Sequence, residues 1–259
     1  YLAEGPNLFI HRRRSPLSRQ LPDLVFGSMP RDGGGLILNE IERARLMAED
    51  ARSAKFIRNY VGAEEHINGL ARYCLWITDR DAAESRSISG IATRLERVAN
   101  SRRESKAEST ASFALRPHRF VQISHQDQDA ILVPAVSSEE REYVPIGYLT
   151  SGDVANNRVY VGYGATPWVF GLLTSRMHMV WMRAVSGRLE TRISYSNTIV
   201  YNNFPVRHIW DAQKDAITEA ALRVLDVREY HSEKTLAELY DPDLMPDDLR
   251  LAHQELDEL

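Results

Sequence analysis

The chain has 259 residues and a mass of 29.5 kDa, enough for one large domain or two smaller ones, each with a real core. The single cysteine, Cys74, excludes a disulfide framework and favours a cytoplasmic protein, and no apolar run approaches the roughly 20 residues of a membrane helix. The net charge is −4, but residues 229–259 contain ten acids and two bases and account for −8, so the remainder is +4. Because the chain begins at Tyr1 rather than methionine, we expect it to be part of a longer protein.

Residues 1–38 are predicted to be an irregular linker, because they contain four prolines and the run Gly33-Gly34-Gly35. His11-Arg12-Arg13-Arg14 forms a compact basic cluster within this segment. Two interpretations of the cluster stay open at this point, a solvated linker and an arm that contacts phosphates.

Two helices and a short strand are predicted next. Residues 39–61 have the pattern of a helix with Asn39 as its N-cap, and residues 71–78 that of a short buried strand. Residues 88–105 predict a second helix, in which Arg94 and Arg97 belong to a basic face with few acids to balance it. Such a face is either solvated or in contact with backbone phosphates.

From residue 119 the pattern becomes mainly β, with short strands predicted over 120–123, 130–134, 143–149 and 158–161. A helix is predicted over Thr166–Val185, closed by Ser186 and by Gly187 in the left-handed conformation, and a strand over Arg188–Val200. Helices over 211–230, 235–240 and 247–259 follow. The fold class predicted is α+β, a mixed helix and short-strand domain followed by a small all-helical C-terminal module.

Glu190 and Arg192 lie two residues apart, so on a strand they would share one face. Three interpretations compete for this pair: an exposed ion pair, a polar pair in the core, and direct reading of DNA bases. For the third, glutamate accepts a hydrogen bond from cytosine N4, and arginine donates two to guanine O6 and N7. Spacing alone leaves all three open.

No catalytic signature stands out along the chain. It lacks the paired histidines of a zinc protease, a Gly-x-Ser-x-Gly elbow and the Asn/Asp-Pro-Pro-aromatic tetrapeptide of adenine-N6 methyltransferases. His178 is more often a packed helix residue than a ligand contact, and Asn156-Asn157 is ordinary turn chemistry as well as a candidate for reading adenine.

Several longer motifs resemble the target-recognition domain of Type IIL (MmeI-like) restriction-modification proteins, over most of residues 27–205. They are, in chain order, Gly33-Gly34-Gly35-Leu36, Arg72-Tyr73-Cys74-Leu75-Trp76, Val133-Pro134 through Pro145, Met177-His178-Met179-Val180-Trp181-Met182-Arg183, Gly187-Arg188-Leu189, Tyr195-Ser196 and Tyr201-Asn202-Asn203-Phe204-Pro205. The tail is similar to the C-terminal module of the same family.

The resemblance implies the following organisation. Residues 1–38 would link to an upstream methyltransferase domain outside this chain, 39–205 would be the recognition domain, and 206–259 the helical module. The partners implied are double-stranded DNA and the upstream domain, with or without a nuclease, and no membrane. S-adenosylmethionine would belong to the upstream domain, so we expect no cofactor and no catalysis in this part.

The resemblance also implies roles for individual residues. Base-reading side chains are expected at Glu190 and Arg192, and also at Asn157, Asn156 and Ala135. The distribution of charge, rather than the resemblance, predicts contacts with backbone phosphates for six arginines, of which Arg183 and Arg188 could instead stabilise Glu190: Arg188, Arg183, Arg176, Arg141, Arg94 and Arg97. Two other functions remain open, a protein-interaction module of a phage-defence complex and a complete small enzyme with an unrecognised site.

Overall fold

The computed structural model describes residues 9–259, in which ten α-helices and eleven short strands are found. The helices are α1 Glu40–Glu49, α2 Ala63–Asn68, α3 Ala82–Arg86, α4 Ser89–Arg103, α5 Glu108–Ala111, α6 Pro167–Thr174, α7 Arg176–Val185, α8 Asp211–Tyr230, α9 Leu236–Leu239 and α10 Asp247–Asp257. The strands are β1 Val25–Phe26, β2 Ile37–Leu38, β3 Ile57–Val61, β4 Tyr73–Leu75, β5 Ala130–Pro134, β6 Val136–Ser137, β7 Gly147–Leu149, β8 Val154–Ala155, β9 Val159–Tyr163, β10 Gly187–Leu189 and β11 Arg192–Ser194. The predicted α+β class with a helical end is confirmed.

Three small sheets form the β structure. A central antiparallel sheet has the order β1-β9-β5-β7, a second has the order β2-β4-β3-β8, and a third has the order β10-β11-β6. Strand β5 is buried along its whole length, because Ile131 and Val133 point into the main core while Ala130 and Leu132 point into a smaller cluster on the other side. The central sheet is therefore covered on both faces.

The three sheets meet at two short connections. Ala135 joins β5 of the central sheet to β6 of the hairpin sheet, and residues 156–158 join β8 of the second sheet to β9 of the central one. Ala135 N donates to Arg158 O at 3.1 Å, so the two connections lie in the same region of the molecule. This region is where the candidate site lies.

The predicted linker over residues 1–38 differs from the structure. Residues 1–8 lie outside the described part of the chain, but β1 pairs with β9 and β2 pairs with β4. The guanidinium of Arg102, which is fully buried, donates to the carbonyl oxygens of Pro30 and Arg31 at 2.7 and 3.0 Å, and also to three carbonyls of residues 113–119. Prolines and glycines punctuate this segment, but tertiary hydrogen bonds order it.

The helix predicted over Thr166–Val185 is two helices in the structure. Ser175 has an extended backbone, with φ −68° and ψ 153°, and its hydroxyl oxygen accepts a hydrogen bond from His178 N, which caps α7. The break changes which residues face inward. Met177 and Val180, which the apolar spacing of a single continuous helix would bury, are each 58% exposed, and His178, Met179 and Met182 are buried instead.

The helix predicted over 39–61 also ends early. Asn39 caps α1 as expected, with Glu42 completing the capping box, but α1 stops at Glu49. Asp50 then accepts from Arg52 N and starts a 3-10 turn, and residues 57–61 become β3. Of the strands predicted in the β region, 120–123 forms only an isolated bridge, and 143–149 shortens to β7.

The C-terminal helices pack on the preceding part of the chain through one shared core. Gly171 of α6 allows a close approach, because a Cβ there would lie 2.7 Å from Ile217 Cγ2 of α8. Arg228 of α8 is buried, donating to Ile146 O and to Tyr240 Oη, both at 2.6 Å. The same hydrophobic cluster thus includes residues of both parts.

Candidate nucleic-acid interface

The segment that contains Glu190 and Arg192 is a hairpin rather than the single strand predicted over Arg188–Val200. Strands β10 and β11 pair antiparallel, with Leu189 opposite Arg192, so Glu190 and Thr191 form a two-residue turn. Gly187 is the first residue of β10 and is not among the residues with positive φ, so its predicted left-handed C′ role is wrong. Glu190 itself has φ +60°, a conformation that fits the first position of a type II′ turn and favours glycine.

The two charged side chains meet across the tip of this hairpin. Arg192 Nη2 donates to Glu190 Oε2 at 2.8 Å, and the side chains are 49% and 77% exposed. The interpretation as a polar pair in the core is therefore wrong. An exposed pair of this kind contributes about 0–1 kcal/mol to stability, so the fold gains little from the residues that occupy these positions.

A cleft of about 630 Å³ opens beside the hairpin, where the three sheets meet. The hairpin and its neighbours form one wall, α2 and Arg72 form the other, and the connection at 156–158 forms the floor together with two aromatic rings. The lining residues are Phe26, Ala63, Glu64, Glu65, Arg72, Ala135, Val136, Asn156, Asn157, Arg158, Tyr160, Leu189, Arg192, Ser194 and Tyr195. Four of the five predicted base-reading residues thus line one concave surface, and Glu190 is joined to it through Arg192.

Asn156 and Asn157 differ in what they can offer a ligand. Asn156 is buried, its Oδ1 accepts from Arg158 N at 2.8 Å, and its Nδ2 donates to Glu65 Oε2 at 3.3 Å. Asn157 is only half-buried, and its amide makes no hydrogen bond with any residue in 9–259. The structure thus corrects the expectation that Asn156 reads a base, because its side chain holds the floor of the cleft. The amide that remains free to bind a ligand is that of Asn157.

Glu65 organises the wall opposite the hairpin. Its Oε2 also accepts from Gly62 N at 2.9 Å, and its Oε1 lies 3.0 Å from Nε of Arg72. A Cβ at position 62 would lie 2.0 Å from Asn156 Nδ2, so only glycine leaves room for this arrangement. The remaining nitrogens of Arg72 are free to face the cleft.

The hairpin wall is fixed from behind by a buried histidine. Tyr195, which lines the cleft, donates its hydroxyl to Nε2 of His178 at 3.1 Å, and Nδ1 of His178 donates to Leu173 O at 2.7 Å. Burial lowers the pKa of His178 to about 4, so the ring is neutral at pH 7 and its two nitrogens have opposite roles. His178 therefore has the packing role that the sequence favoured.

Two of the predicted phosphate contacts use their guanidinium groups within the protein. Arg183 donates from Nη2 alone to the carbonyls of Arg141 and Glu142, at 2.6 and 2.8 Å. Arg94 uses all three nitrogens, donating to the carbonyls of Gly35 and Ile37 and pairing with Glu42. Arg94 therefore stabilises a loop, which corrects the expectation that it meets phosphates, whereas a phosphate contact of Arg183 stays a prediction.

The other four predicted phosphate contacts are spread over the molecule. Arg188 is exposed on β10, with one nitrogen 3.3 Å from Arg183 O. Arg141 is half-buried, and burial lowers its pKa. Arg176 starts α7, about 15 Å along the helix from the hairpin, and Arg97 lies exposed on α4. None of these four lines the cleft, and only Arg188 belongs to the hairpin.

The polar lining residues that were not predicted from the sequence include Arg158, Arg72 and Ser194. Arg158 directly follows the asparagine pair, and Arg72 is the first residue of one of the family motifs. Each position could therefore have been predicted, but the sequence pattern places both arginines in or beside a predicted strand. Within residues 9–259, no group of three or more His, Cys, Asp or Glu side chains is placed to hold a metal ion, and no helix has the length and apolar character to cross a membrane.

Comparisons with known proteins give a consistent result. The family model described as "MmeI, target recognition domain" matches residues 4–208, and the model "MmeI, C-terminal domain" matches residues 209–259. DNA methyltransferase A of Bacillus subtilis (strain 168) is 39% identical over 257 residues, which cover 99% of this chain and 29% of that protein. The Type IIL restriction-modification enzyme MmeI, solved in complex with DNA, superposes with a TM-score of 0.94 at 38% identity, over 99% of this chain and 34% of MmeI. The chain thus spans about a third of the length of these relatives.

Proposed function

The chain belongs to the MmeI family, as a target recognition domain with its C-terminal domain, and from this premise we propose that it reads a short base sequence in double-stranded DNA. It would do so as the recognition part of a larger adenine-N6 DNA methyltransferase. The relative solved in complex with DNA supports the proposed binding of DNA. The relative that is a DNA methyltransferase supports the proposed place in a larger methyltransferase.

The observation that carries the proposal is the grouping of polar side chains in one cleft. Arg192 offers a planar fork of donors, Glu190 offers acceptors, and Asn157 offers an amide NH₂ donor and a carbonyl acceptor with no partner among residues 9–259. These are the pairings that distinguish guanine, cytosine and adenine in the major groove, each contributing about 1–3 kcal/mol of discrimination. Since Glu190 and Arg192 contact each other in the free protein, binding would redirect both toward one C·G pair.

Methyl transfer would take place in a part of the protein outside this chain, which spans about a third of the length of its relatives. There, S-adenosylmethionine would supply the methyl group, and the target adenine would leave the base stack to reach it. The described residues would fix which adenine is presented, by holding the flanking base pairs in register. A nuclease activity of the whole protein is compatible with this arrangement but is not required by it.

Exchange of the charged pair tests the proposal. We expect the variant Glu190→Lys with Arg192→Asp to prefer G·C where the wild type prefers C·G, because the donors and acceptors at the hairpin tip change places. The measurement is selection of bound duplexes from a randomised library, followed by sequencing. The matched control is Arg45→Glu with Glu49→Arg, which exchanges an exposed pair on α1.

The control is expected to retain the wild-type preference at every position. An unchanged preference in the Glu190 and Arg192 variant would remove these residues from base reading. Binding without any sequence preference would favour a protein-interaction module, and methyl transfer or cleavage by this chain alone would favour a complete small enzyme.

A further inference from the structure

Two segments that are distant in sequence, residues 9–22 and 196–210, run beside one another next to the hairpin. Arg13 N donates to Thr198 O at 2.9 Å, and Leu17 N donates to Asn202 O at 3.0 Å. Further along, the side-chain amide of Gln20 exchanges two hydrogen bonds with the main chain of Ile209. The N-terminal segment is therefore fixed in position without being part of a sheet.

Asparagine side chains complete this attachment. Asn202 Nδ2 donates to Arg13 O at 2.9 Å, and Asn203 Nδ2 donates to His11 O at 3.0 Å. Since both bonds go to carbonyl oxygens of the main chain, they hold the path of the segment and leave its side chains free. The cluster 11–14 thus has an ordered backbone and unconstrained basic groups.

The charge on these two segments has only one sign. Neither residues 9–22 nor residues 196–210 contain an aspartate or glutamate, whereas together they contain five arginines and two histidines. All seven side chains are exposed, and the five guanidinium groups make no hydrogen bond or ion pair with any residue in 9–259. They are His11, Arg12, Arg13, Arg14, Arg19, Arg207 and His208. We call this set the basic arm.

A solvated surface usually pairs its charges, and this protein does so elsewhere. Arg45, Arg52 and Lys55, for example, each have a carboxylate within 2.5–2.7 Å. In the basic arm, like charges are instead fixed close together, and neither of the two segments, 9–22 and 196–210, contains a carboxylate side chain. Their mutual repulsion raises the electrostatic free energy of the free protein. A polyanion would relieve this repulsion and release its own counterions.

We propose that the basic arm binds backbone phosphates of the DNA duplex that flanks the bases read in the cleft. Thr198, to which the arm is attached, lies four residues beyond Ser194 of the cleft wall, so one duplex could contact both. The inference rests on the proposed function, because it takes DNA as the ligand. It adds a site that positions the duplex without contributing to the choice of sequence.

The salt dependence of DNA binding tests this site. The variant Arg12→Gln, Arg13→Gln, Arg14→Gln is compared with the wild type by fluorescence anisotropy, using one labelled duplex of preferred sequence and one of scrambled sequence. Each phosphate contact contributes about 0.9 to the slope of log K against log salt, so we expect the slope to fall by about 2–3. The loss of affinity should be the same on both duplexes.

A control variant with the same change in net charge distinguishes the loss of a local phosphate contact from a general change in the electrostatic potential of the protein. It is Arg45→Gln, Arg52→Gln, Lys55→Gln, on α1 and the turn that follows, and we expect it to keep the wild-type slope. Thermal unfolding of the arm variant should match the wild type, because its main-chain anchors remain. This comparison shows whether a loss of binding comes from misfolding.

The outcomes distinguish the two proposals. Failure of the wild type to bind any duplex would overturn the proposed function, and this inference with it. Normal wild-type binding, with an arm variant whose slope is unchanged or falls no more than that of the control, would overturn the inference alone. So would a loss confined to the preferred duplex, since a phosphate contact does not depend on sequence.

Discussion

Glu190 shows how the chemistry of one residue can conflict with the backbone it occupies. Its φ of +60° is a left-handed value, which costs a residue with a Cβ of order 1 kcal/mol or more. The exposed ion pair with Arg192 does not offset such a cost by much. The carboxylate at the tip of the turn is therefore better explained by an external ligand than by stability.

Replacement of this residue by glycine tests that explanation. We expect Glu190→Gly to raise the free energy of unfolding by up to about 1 kcal/mol, because strain relief exceeds the added entropy of the unfolded chain. The same change should weaken the preference for one base pair. Chemical denaturation and duplex selection measure the two effects, and a destabilised variant would show that Glu190 is at this position for the fold.

Buried neutral histidines give the molecule a predictable pH dependence. Burial lowers the pKa of His178 to about 4, and burial together with the nearby charge of Arg228 lowers that of His66 to about 4. The unfolded chain binds protons to both near pH 6.5, whereas the folded chain does not until about pH 4. Their contribution to stability is thus complete above pH 6.5 and is lost as the pH falls toward 4.

The prediction is a decrease in unfolding free energy between pH 6.5 and 4, with each of these histidines contributing up to about 1.4 kcal/mol per pH unit. The variant His178→Gln keeps a donor for Leu173 O but cannot titrate. Its stability should depend less steeply on pH over this window. Equal slopes for variant and wild type, measured by urea denaturation at several pH values, would contradict the neutral state assigned to His178.

The sequence located the site better than it described the individual residues. Residue types and family motifs pointed to Glu190, Arg192 and Asn157, whose side chains are all accessible. The same reasoning could not tell Asn156 from Asn157, or Arg183 from Arg188. One of two adjacent amides, or one of two nearby guanidinium groups, forms hydrogen bonds within the protein. Which one does so depends on carbonyls and carboxylates that are far away in sequence.

At the scale of elements, strong local patterns predicted helices well and their ends poorly. The predicted bounds of α8 were correct to the residue, because its helical pattern begins and ends with clear changes in the sequence. The continuous apolar pattern of 166–185 concealed the break at Ser175, whose hydroxyl starts a new helix. Residues 188–200 are rich in strand formers, but the turn at Glu190 and Thr191 folds 187–194 into a hairpin, and Asn197–Tyr201 is a π-helix.

The close packing of α6 on α8 leads to a prediction about how the C-terminal helices are held. Gly171→Val places methyl groups where a Cβ alone would lie 2.7 Å from Ile217 and 3.2 Å from Ala221. We expect it to lower the unfolding free energy by about 1–3 kcal/mol through overpacking. Chemical denaturation measures the change.

The control for this packing prediction is Gly152→Val, at an exposed turn where a Cβ meets only Thr150 Oγ1, at 3.7 Å. It removes the flexibility of a glycine without adding volume to a core. Wild-type stability of Gly171→Val would mean that the two helices can separate at little cost and are not held by this contact.

At the scale of the whole molecule, the division of charge matches the proposed division of tasks. The acidic tail, with −8 over residues 229–259, belongs to the helical module, and the basic arm and the cleft belong to the recognition domain. The α+β class and the helical end were predicted from the sequence. The meeting of three sheets at Ala135 and residues 156–158 was not, because strand order depends on pairings between distant segments.

Hydrogen–deuterium exchange, with and without a bound duplex, tests most directly whether DNA occupies the cleft. The account predicts slower exchange in residues 187–195 and in residues 156–160, which both contribute to the lining of the cleft. It predicts no change in α10, whose acidic surface repels phosphate. Measurable DNA binding with protection elsewhere and none in these two segments would contradict it.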